Sequence, residues 1–254
     1  MKVTIVTVCF NSKNFIQKTI DTVAQQTYGN IEHVIIDGGS TDGTVAILEN
    51  NAEKISYISE PDKGIYDAMN KGVKMATGDV IGTLGAGDFY PNNKVISQVV
   101  SGFEQYNTDA IYGDKQYVHP ENTEKVVRYW KPGVYKIENW LEGWMPPHQS
   151  FYLHKTAFEK YGLYMDDFRT AGDYELMLRM LYKHKLTAHY IPELLVTMLT
   201  GGSSTASLSH RIKANIEDRK AWAVNNIVPK WYTLYMKPLG KLGQFLKFSK
   251  NASL

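Results

Sequence analysis

The first hundred residues of this chain predict an α/β fold, a mostly parallel sheet covered by helices. Three observations carry that reading. Apolar runs of strand length alternate with stretches of helical spacing. Residues 31–36 run straight into Asp37-Gly38-Gly39-Ser40-Thr41-Asp42, a small-residue turn bearing acids. Residues 79–84 lead in the same way into Gly85-Ala86-Gly87-Asp88. Acids at the carboxyl ends of strands lie where open α/β sheets bind ligands.

The elements follow in order. Val3-Thr4-Ile5-Val6-Thr7-Val8 is β-branched and reads as a strand rather than a leader peptide. Asn11-Ser12 starts a helix whose Phe15, Ile16, Ile20 and Val23 share a face. After the strand at 31–36, Ser40-Thr41-Asp42 caps a helix through Val45, Ile47 and Leu48. Ile55-Ser56-Tyr57-Ile58 is a short strand stopped by Glu60-Pro61-Asp62-Lys63-Gly64. Ile65, Met69 and Val73 mark one face of a third helix, with Asp67, Asn70, Lys71 and Lys74 elsewhere. Residues 79–84 form a strand and 93–106 a helix. The second half is less regular. Ala110-Ile111-Tyr112 and residues 125–130 read as strands, and 140–152 as an aromatic, proline-rich loop. A helix starts near Ala171-Gly172-Asp173 and runs through Leu176, Met177, Met180 and Leu181. Gly201-Gly202-Ser203-Ser204-Thr205 reads as a polar lid loop. The chain divides into a body, residues 1–225, and a basic amphipathic tail, 226–254.

Composition narrows the function classes. With 43% hydrophobic and 21% charged residues the 254-residue chain is ordinary globular material, and it has no eighteen-residue apolar run. The lone Cys9 excludes an intramolecular disulfide and a cysteine metal site, and a cytoplasmic location follows. A net charge of +2 gives no surplus for nucleic acid. That charge is unevenly spread. After Asp218 come Arg219, Lys220, Lys230, Lys237, Lys241, Lys247 and Lys250, with no further Asp or Glu. Trp231, Tyr232, Tyr235, Phe245 and Phe248 alternate with these lysines. Such a segment, 230–254, suits an anionic membrane surface and a peripheral place on it; packing on the body or on a second subunit is the alternative.

Several residues are candidates for chemistry. A turn aspartate ordinarily caps the next helix, which suits Asp42. Asp37 instead precedes two glycines, where backbone can approach a ligand and a carboxylate can accept from a uracil N–H or ribose hydroxyl. Asp88 is either a turn acid or a ligand to a divalent cation that neutralises a diphosphate. Asp173 opens an amphipathic helix, as first-turn acids commonly do, and could equally take a proton from an alcohol. Glu175, on a different helical face, is the second candidate. Pro146-Pro147 stiffens the approach to His148-Gln149; with Trp144 these offer a stacking face and amide groups suited to a sugar.

Taken together, the segments resemble the family 2 glycosyltransferases, bacterial nucleotide-sugar transferases with a GT-A fold. The resemblance is carried by Thr7-Val8-Cys9-Phe10-Asn11, Asp37 to Gly43, residues 59–72, Thr77-Gly78-Asp79 through Asp88, His148-Gln149-Ser150-Phe151 and Ala171-Gly172-Asp173-Tyr174-Glu175-Leu176. It implies a nucleotide pocket including Thr7, Phe10, Asn11, Asp37, Lys63, Asp67 and Gly87. It implies Mg²⁺ or Mn²⁺ at Asp88, a catalytic base at Asp173, and inverting transfer of one sugar from a UDP-sugar. The acceptor would be a surface polysaccharide or a lipid-linked oligosaccharide. Two departures qualify the match. Gly85-Ala86-Gly87-Asp88 holds one acid where many members carry two or more. The chain also lacks a Gln-x-x-Arg-Trp motif, which argues against processive synthesis. A catalytically silent nucleotide- or glycan-binding module on the same fold is the alternative. The missing G-x-G-x-x-G spacing in Gly38-Gly39-Ser40-Thr41-Asp42-Gly43 argues against a Rossmann dehydrogenase.

Overall fold

The computed structural model describes residues 1–201, 208–240 and 244. The first half comprises β1 (Val3–Cys9), α1 (Ile16–Ala24), β2 (Ile31–Asp37), α2 (Thr44–Asn50), β3 (Ser56–Ser59), α3 (Ile65–Met75), β4 (Val80–Gly85) and α4 (Val95–Tyr106). The second comprises β5 (Ala110–His119), β6 (Asn122–Trp130), β7 (Phe151–His154), α5 (Lys155–Tyr161), α6 (Gly172–Met177), β8 (Ala188–Leu199), α7 (Leu208–Val224) and α8 (Thr233–Leu239).

The strands form one sheet in the order β3-β2-β1-β4-β7-β5-β6, with β8 also pairing β5. The four strands of the first half are parallel, as their helical crossovers require. Their register sets the site. Cys9 pairs with Asp37, Asp37 with Ser59, and Val8 with Gly85. The loops after β1, β2, β3 and β4 therefore leave one edge of the sheet together. The chain runs from β1 outward to β2 and β3, then returns to place β4 on the other side of β1. That reversal makes a crevice at the strands' carboxyl ends, the position where such sheets bind ligands.

Strand alternation assigns the two faces. Cys9 and Ile35 face α1 and α2, packing with Ile16, Ile20 and Leu48, while Ile5 on the same face packs with Val23 and the α4 residues Val95 and Val99. Val6, Val34 and Ile36 face α3, packing with Ala68, Met69 and Val73. α3 lies close because Gly72 has no side chain; a Cβ there would run into Val6 Cγ1.

The second half corrects the sequence reading. Residues 140–152 are not simply a loop. They form two short 3-10 turns, Ile137–Glu142 and His148–Ser150, and lead into β7. β7 fills the centre of the sheet, antiparallel to both β4 and β5. The sheet is thus parallel in one half and mixed in the other. α6 continues into a π-helical turn, Leu178–Lys183. The loop expected at 201–205 lies, beyond Gly201, outside the described residues. The part of the tail that is described packs on the body. Lys237 pairs with Asp218 at 2.5 Å, Lys230 with Glu142 at 2.8 Å, and Thr233 Oγ1 donates to the Leu141 carbonyl at 2.6 Å. Among the described residues no helix is long and apolar enough to cross a membrane.

Candidate active site

The crevice is built first from loops laced to one another. Asn11, at φ +48, donates its N–H to Ser40 Oγ at 2.7 Å and accepts from the Thr41 N–H at 3.0 Å. Lys13 N–H donates to Asp42 Oδ2 at 3.0 Å, and Thr44 N–H to Asp42 Oδ1 at 2.9 Å, so Asp42 ties the β1 loop to the first residue of α2. Phe10 is left 63% exposed. Its ring edges Gly38, where a Cβ would lie 3.4 Å from Phe10 Cδ2 and 2.8 Å from Asp62 Oδ2. An exposed aromatic face, bare backbone and a carboxylate therefore meet at one end of the crevice. That combination suits a flat heterocycle with N–H donors.

Two of the expected nucleotide contacts, Thr7 and Asp37, are buried and bonded within the protein. Thr7 is fully buried and hydrogen-bonded to His33 Nε2 at 2.9 Å. Alternation along β1 puts it with Ile5 and Cys9 on the face away from α3. Burial pushes His33 down to about 3, so it is neutral there. Asp37 is 0% exposed. Its Oδ2 accepts from Gly39 N–H (3.1 Å), Ser40 N–H (2.9 Å) and Ser59 Oγ (2.7 Å), and its Oδ1 accepts from the Ser40 hydroxyl and, at 3.5 Å, from Cys9 Sγ. Burial opposes the carboxylate, but these donors outweigh it and hold the group below its ordinary range. Asp37 shapes the loop; Asp62 is the acid beside Phe10.

The loop after β3 is organised by Lys71. Its Nζ reaches Glu60 (2.8 Å), Asp62 (2.9 Å) and Asp67 (3.7 Å), and the Glu60 and Asp62 bonds raise its pKa. Asp67 Oδ2 accepts the Lys63 N–H at 3.0 Å, which closes the start of α3 and keeps Asp67 ionised. The Lys63 side chain stays exposed, and its carbonyl accepts from the Arg169 guanidinium. Glu217 on α7 then fixes the segment after Arg169, accepting from Arg169 N–H (2.8 Å), Thr170 N–H (2.7 Å) and Ala171 N–H (2.9 Å).

That segment delivers Asp173 in the first turn of α6. Tyr66 OH donates to Asp173 Oδ1 at 3.3 Å. Tyr66 stacks on Tyr164 with centroids 5.9 Å apart, and Tyr164 OH lies 3.0 Å from His148 Nε2, which also meets Thr83 Oγ1 of β4 at 3.4 Å. Burial lowers the His148 pKa, Asp173 pulls it back and Lys115 adds to the lowering. His148 is thus a neutral, buried positioning group linking Asp173 to β4, rather than a surface contact for sugar. Gln149 Oε1 accepts from Lys115 Nζ at 2.6 Å.

Glu175 and Trp144 are bonded within the protein as well. Glu175 is 0% exposed, bonded to Arg179 Nε (2.8 Å) and Nη2 (3.0 Å) and to Asn225 Nδ2 (3.0 Å). It braces α6 from within the core. Trp144 gives its indole N–H to the Pro132 carbonyl at 2.7 Å, stacks on Tyr135 and meets Tyr112 and Trp140 edge-on. It is an aromatic strut.

Asp88 stands at the other end of the crevice, after the positive-φ residue Gly87. Gly87 N–H donates to Thr19 Oγ1 at 3.1 Å, and Thr19 Oγ1 donates to the Asp88 carbonyl at 2.8 Å, so α1 fixes this turn. Asp88 Oδ2 accepts from Gly85 N–H at 3.0 Å; Oδ1 accepts no hydrogen bond among the described residues. Burial raises the Asp88 pKa to about 6, against the opposite pull of Lys115 and the Gly85 N–H. No group of three or more His, Cys, Asp or Glu could hold a metal ion among the described residues. A single hard carboxylate fits a divalent ion that also takes oxygens from a bound diphosphate, a common arrangement for Mg²⁺.

Asp62, Lys71, Tyr66, Tyr164, Arg169, Glu217 and Lys115 were not among the expected site residues. The i, i+4 pair of Asp67 and Lys71 was a legible signal for one of them. A separate groove of about 470 Å³ between α4 and β8, lined by Lys94, Gln98, Tyr106 and His189 among others, contains no acid.

A family model described as Glycosyl transferase family 2 matches residues 4–165. An uncharacterized glycosyltransferase of Mycobacterium tuberculosis is 33% identical over 181 residues, 70% of this chain and 68% of that one. A PGL/p-HBAD biosynthesis glycosyltransferase of Mycobacterium bovis is 28% identical over 177 residues, 68% of this chain and 66% of that one. Among solved structures, S. aureus TarS residues 1–349 in complex with UDP-GlcNAc matches with a TM-score of 0.70 at 14% identity, over 98% of this chain and 73% of that one. The mannosyltransferase PcManGT from Pyrobaculum calidifontis, in complex with GDP-Man and Mn²⁺, matches with a TM-score of 0.68 at 18% identity, over 93% of this chain and 68% of that one. The sheet and its helical layers are those of GT-A glycosyltransferases.

Proposed function

The chain belongs to the family 2 glycosyltransferases, and on that premise we propose that it moves one sugar from a UDP-sugar to an acceptor hydroxyl with inversion, Asp173 acting as base. The observation that carries this reading is the chain of contacts Asp173–Tyr66–Tyr164–His148–Thr83, which ties a carboxylate on α6 to β4, the strand that carries Asp88 at its end. One carboxylate can then take a proton at the acceptor side while the other serves the leaving group.

In the reaction, Asp173 accepts the proton of the acceptor hydroxyl. The oxygen forms a bond to the anomeric carbon from the face opposite the diphosphate. The bond from that carbon to the diphosphate breaks, its electron pair staying on the phosphoryl oxygen. An α-linked donor gives a β-linked product. Phe10, Gly38 and Asp62 receive the base, and the lacing by Asn11, Asp37 and Asp67 keeps their loops in place. Asp88 would hold Mg²⁺ or Mn²⁺, which when bound supplies positive charge for the leaving diphosphate.

The acceptor we propose is a surface polysaccharide or lipid-linked oligosaccharide at the inner face of a membrane. Val228, Trp231, Tyr235 and Leu239 of the tail are exposed, Trp231 by 84%, and would meet that surface. Co-sedimentation with anionic vesicles, lost on removing residues 230–254, is the expected result.

The donor reading is tested by thermal stability against nucleoside diphosphates and nucleotide-sugars, with and without Mn²⁺. Stabilisation by UDP that grows with metal supports it. A wild-type melting point unmoved by every nucleotide overturns it.

A further inference from the structure

β5 buries a lysine near the Asp88 end of the sheet. Lys115 is 2% exposed. An ammonium has three N–H donors, and burying it is costly unless they are met. Among the described residues its Nζ has one hydrogen-bond acceptor, Gln149 Oε1 at 2.6 Å, and one aromatic face, Tyr117 at 4.7 Å. No carboxylate lies within ion-pair distance of it among the described residues. Two donors are left for something else.

The register says what lies nearby. Lys115 pairs with Val196 of β8, and the next residue, Thr197, exchanges backbone hydrogen bonds of 2.9 Å with Phe89, the neighbour of Asp88. On its other side Gln149 follows His148, which is joined to Tyr164 and β4. The positive charge on Lys115 is felt by both Asp88 and His148. It therefore stands between the acid at the leaving-group end and the cluster around Asp173.

We propose that the Lys115 ammonium hydrogen-bonds the donor's diphosphate and takes up part of the charge left on it as the sugar leaves. This rests on the UDP-sugar reading above. The acceptor proton goes to Asp173, and the electron pair of the broken bond stays on the diphosphate. The device suits a chain whose metal motif has been reduced to one acid, because a fixed cation offsets charge that a second carboxylate and its ion would otherwise manage.

The test is calorimetric titration of UDP and of uridine into wild type, K115M and K115R, all in EDTA. Methionine keeps the volume and removes the charge; arginine keeps the charge. K115M is expected to lose about tenfold or more in UDP affinity, the scale of a charge-assisted hydrogen bond, with uridine affinity unchanged. K115R is expected to stay within about threefold of wild type for UDP, because a guanidinium also binds phosphate oxygens. Equal UDP affinity in wild type and K115M overturns the proposal. So does a parallel loss of UDP and uridine, since Lys115 would then act on the fold rather than on the diphosphate. Wild type that binds UDP with Mn²⁺ but not in EDTA overturns this proposal alone; wild type that binds UDP under neither condition removes the donor reading and this proposal with it, and the other failures leave the donor reading standing.

Discussion

Arg179→Met should strip the brace from the helix that carries Asp173. The guanidinium makes two bonds to Glu175, at 2.8 and 3.0 Å, and bonds of 2.5, 3.0 and 2.7 Å to the carbonyls of Tyr161, Gly162 and Leu163. It ties α6 to the segment just before Tyr164, whose hydroxyl meets His148. Without it, Glu175 remains 0% exposed with Asn225 Nδ2 as its donor. Breaking one side of a buried ion pair costs about 3–5 kcal/mol. At about 2–4 °C per kcal/mol for a chain of this size, the melting midpoint falls by roughly 6–20 °C. Scanning calorimetry reads this directly. The double variant E175M/R179M should recover much of the loss, because no charge is then left buried. A single variant melting within about 2 °C of wild type refutes the bracing role. If Glu175 faced an acceptor instead, Glu175→Gln would raise the acceptor KM and leave the melting point alone.

Gly172→Ala places a Cβ 2.8 Å from Tyr66 Cδ2, so the ring must move off Asp173. Transfer should fall about tenfold or more with UDP affinity unchanged, as measured by initial rates beside calorimetry. Glu32 governs acid stability. Burial disfavours its charge, but Thr4, Thr77 and Lys2 outweigh that and bring its pKa from 4.5 to about 2. Its contribution is therefore present above pH 4.5 and is lost as pH falls toward about 2. Glu32→Gln should be less stable than wild type at pH 6, with the gap closing in that acid window; a gap that stays constant contradicts the assignment.

The parallel half of the fold was legible because its strands are short, largely β-branched or apolar segments and each crossover has a clear helical face. β7 was not. It follows a proline-rich stretch that reads as loop, whereas β3, equally short, lies between two clear helical stretches. β5 was recognised only at its first three residues, so nothing marked Lys115 as buried. Thr7 illustrates a finer limit. The motif places it near the crevice, but only knowledge of which face α1 covers tells that odd-numbered residues of β1 point away from α3. Glu175 and Arg179 are four apart on a helix, which announces their pairing; its complete burial depends on α7 and Asn225, distant in sequence. Asp62 was visible as a residue yet gained meaning only when β3 was registered beside β2, next to Phe10.

The most direct measurement follows UDP-sugar turnover by proton NMR, reading the anomer first released with water as acceptor, in wild type and Asp173→Asn. Wild type should release the β-anomer from an α-linked donor. Asp173→Asn should bind UDP as tightly and turn over about 10²- to 10⁴-fold more slowly, the usual contribution of a general base. Release of the α-anomer contradicts inversion, and an unchanged rate in Asp173→Asn removes Asp173 from the chemistry.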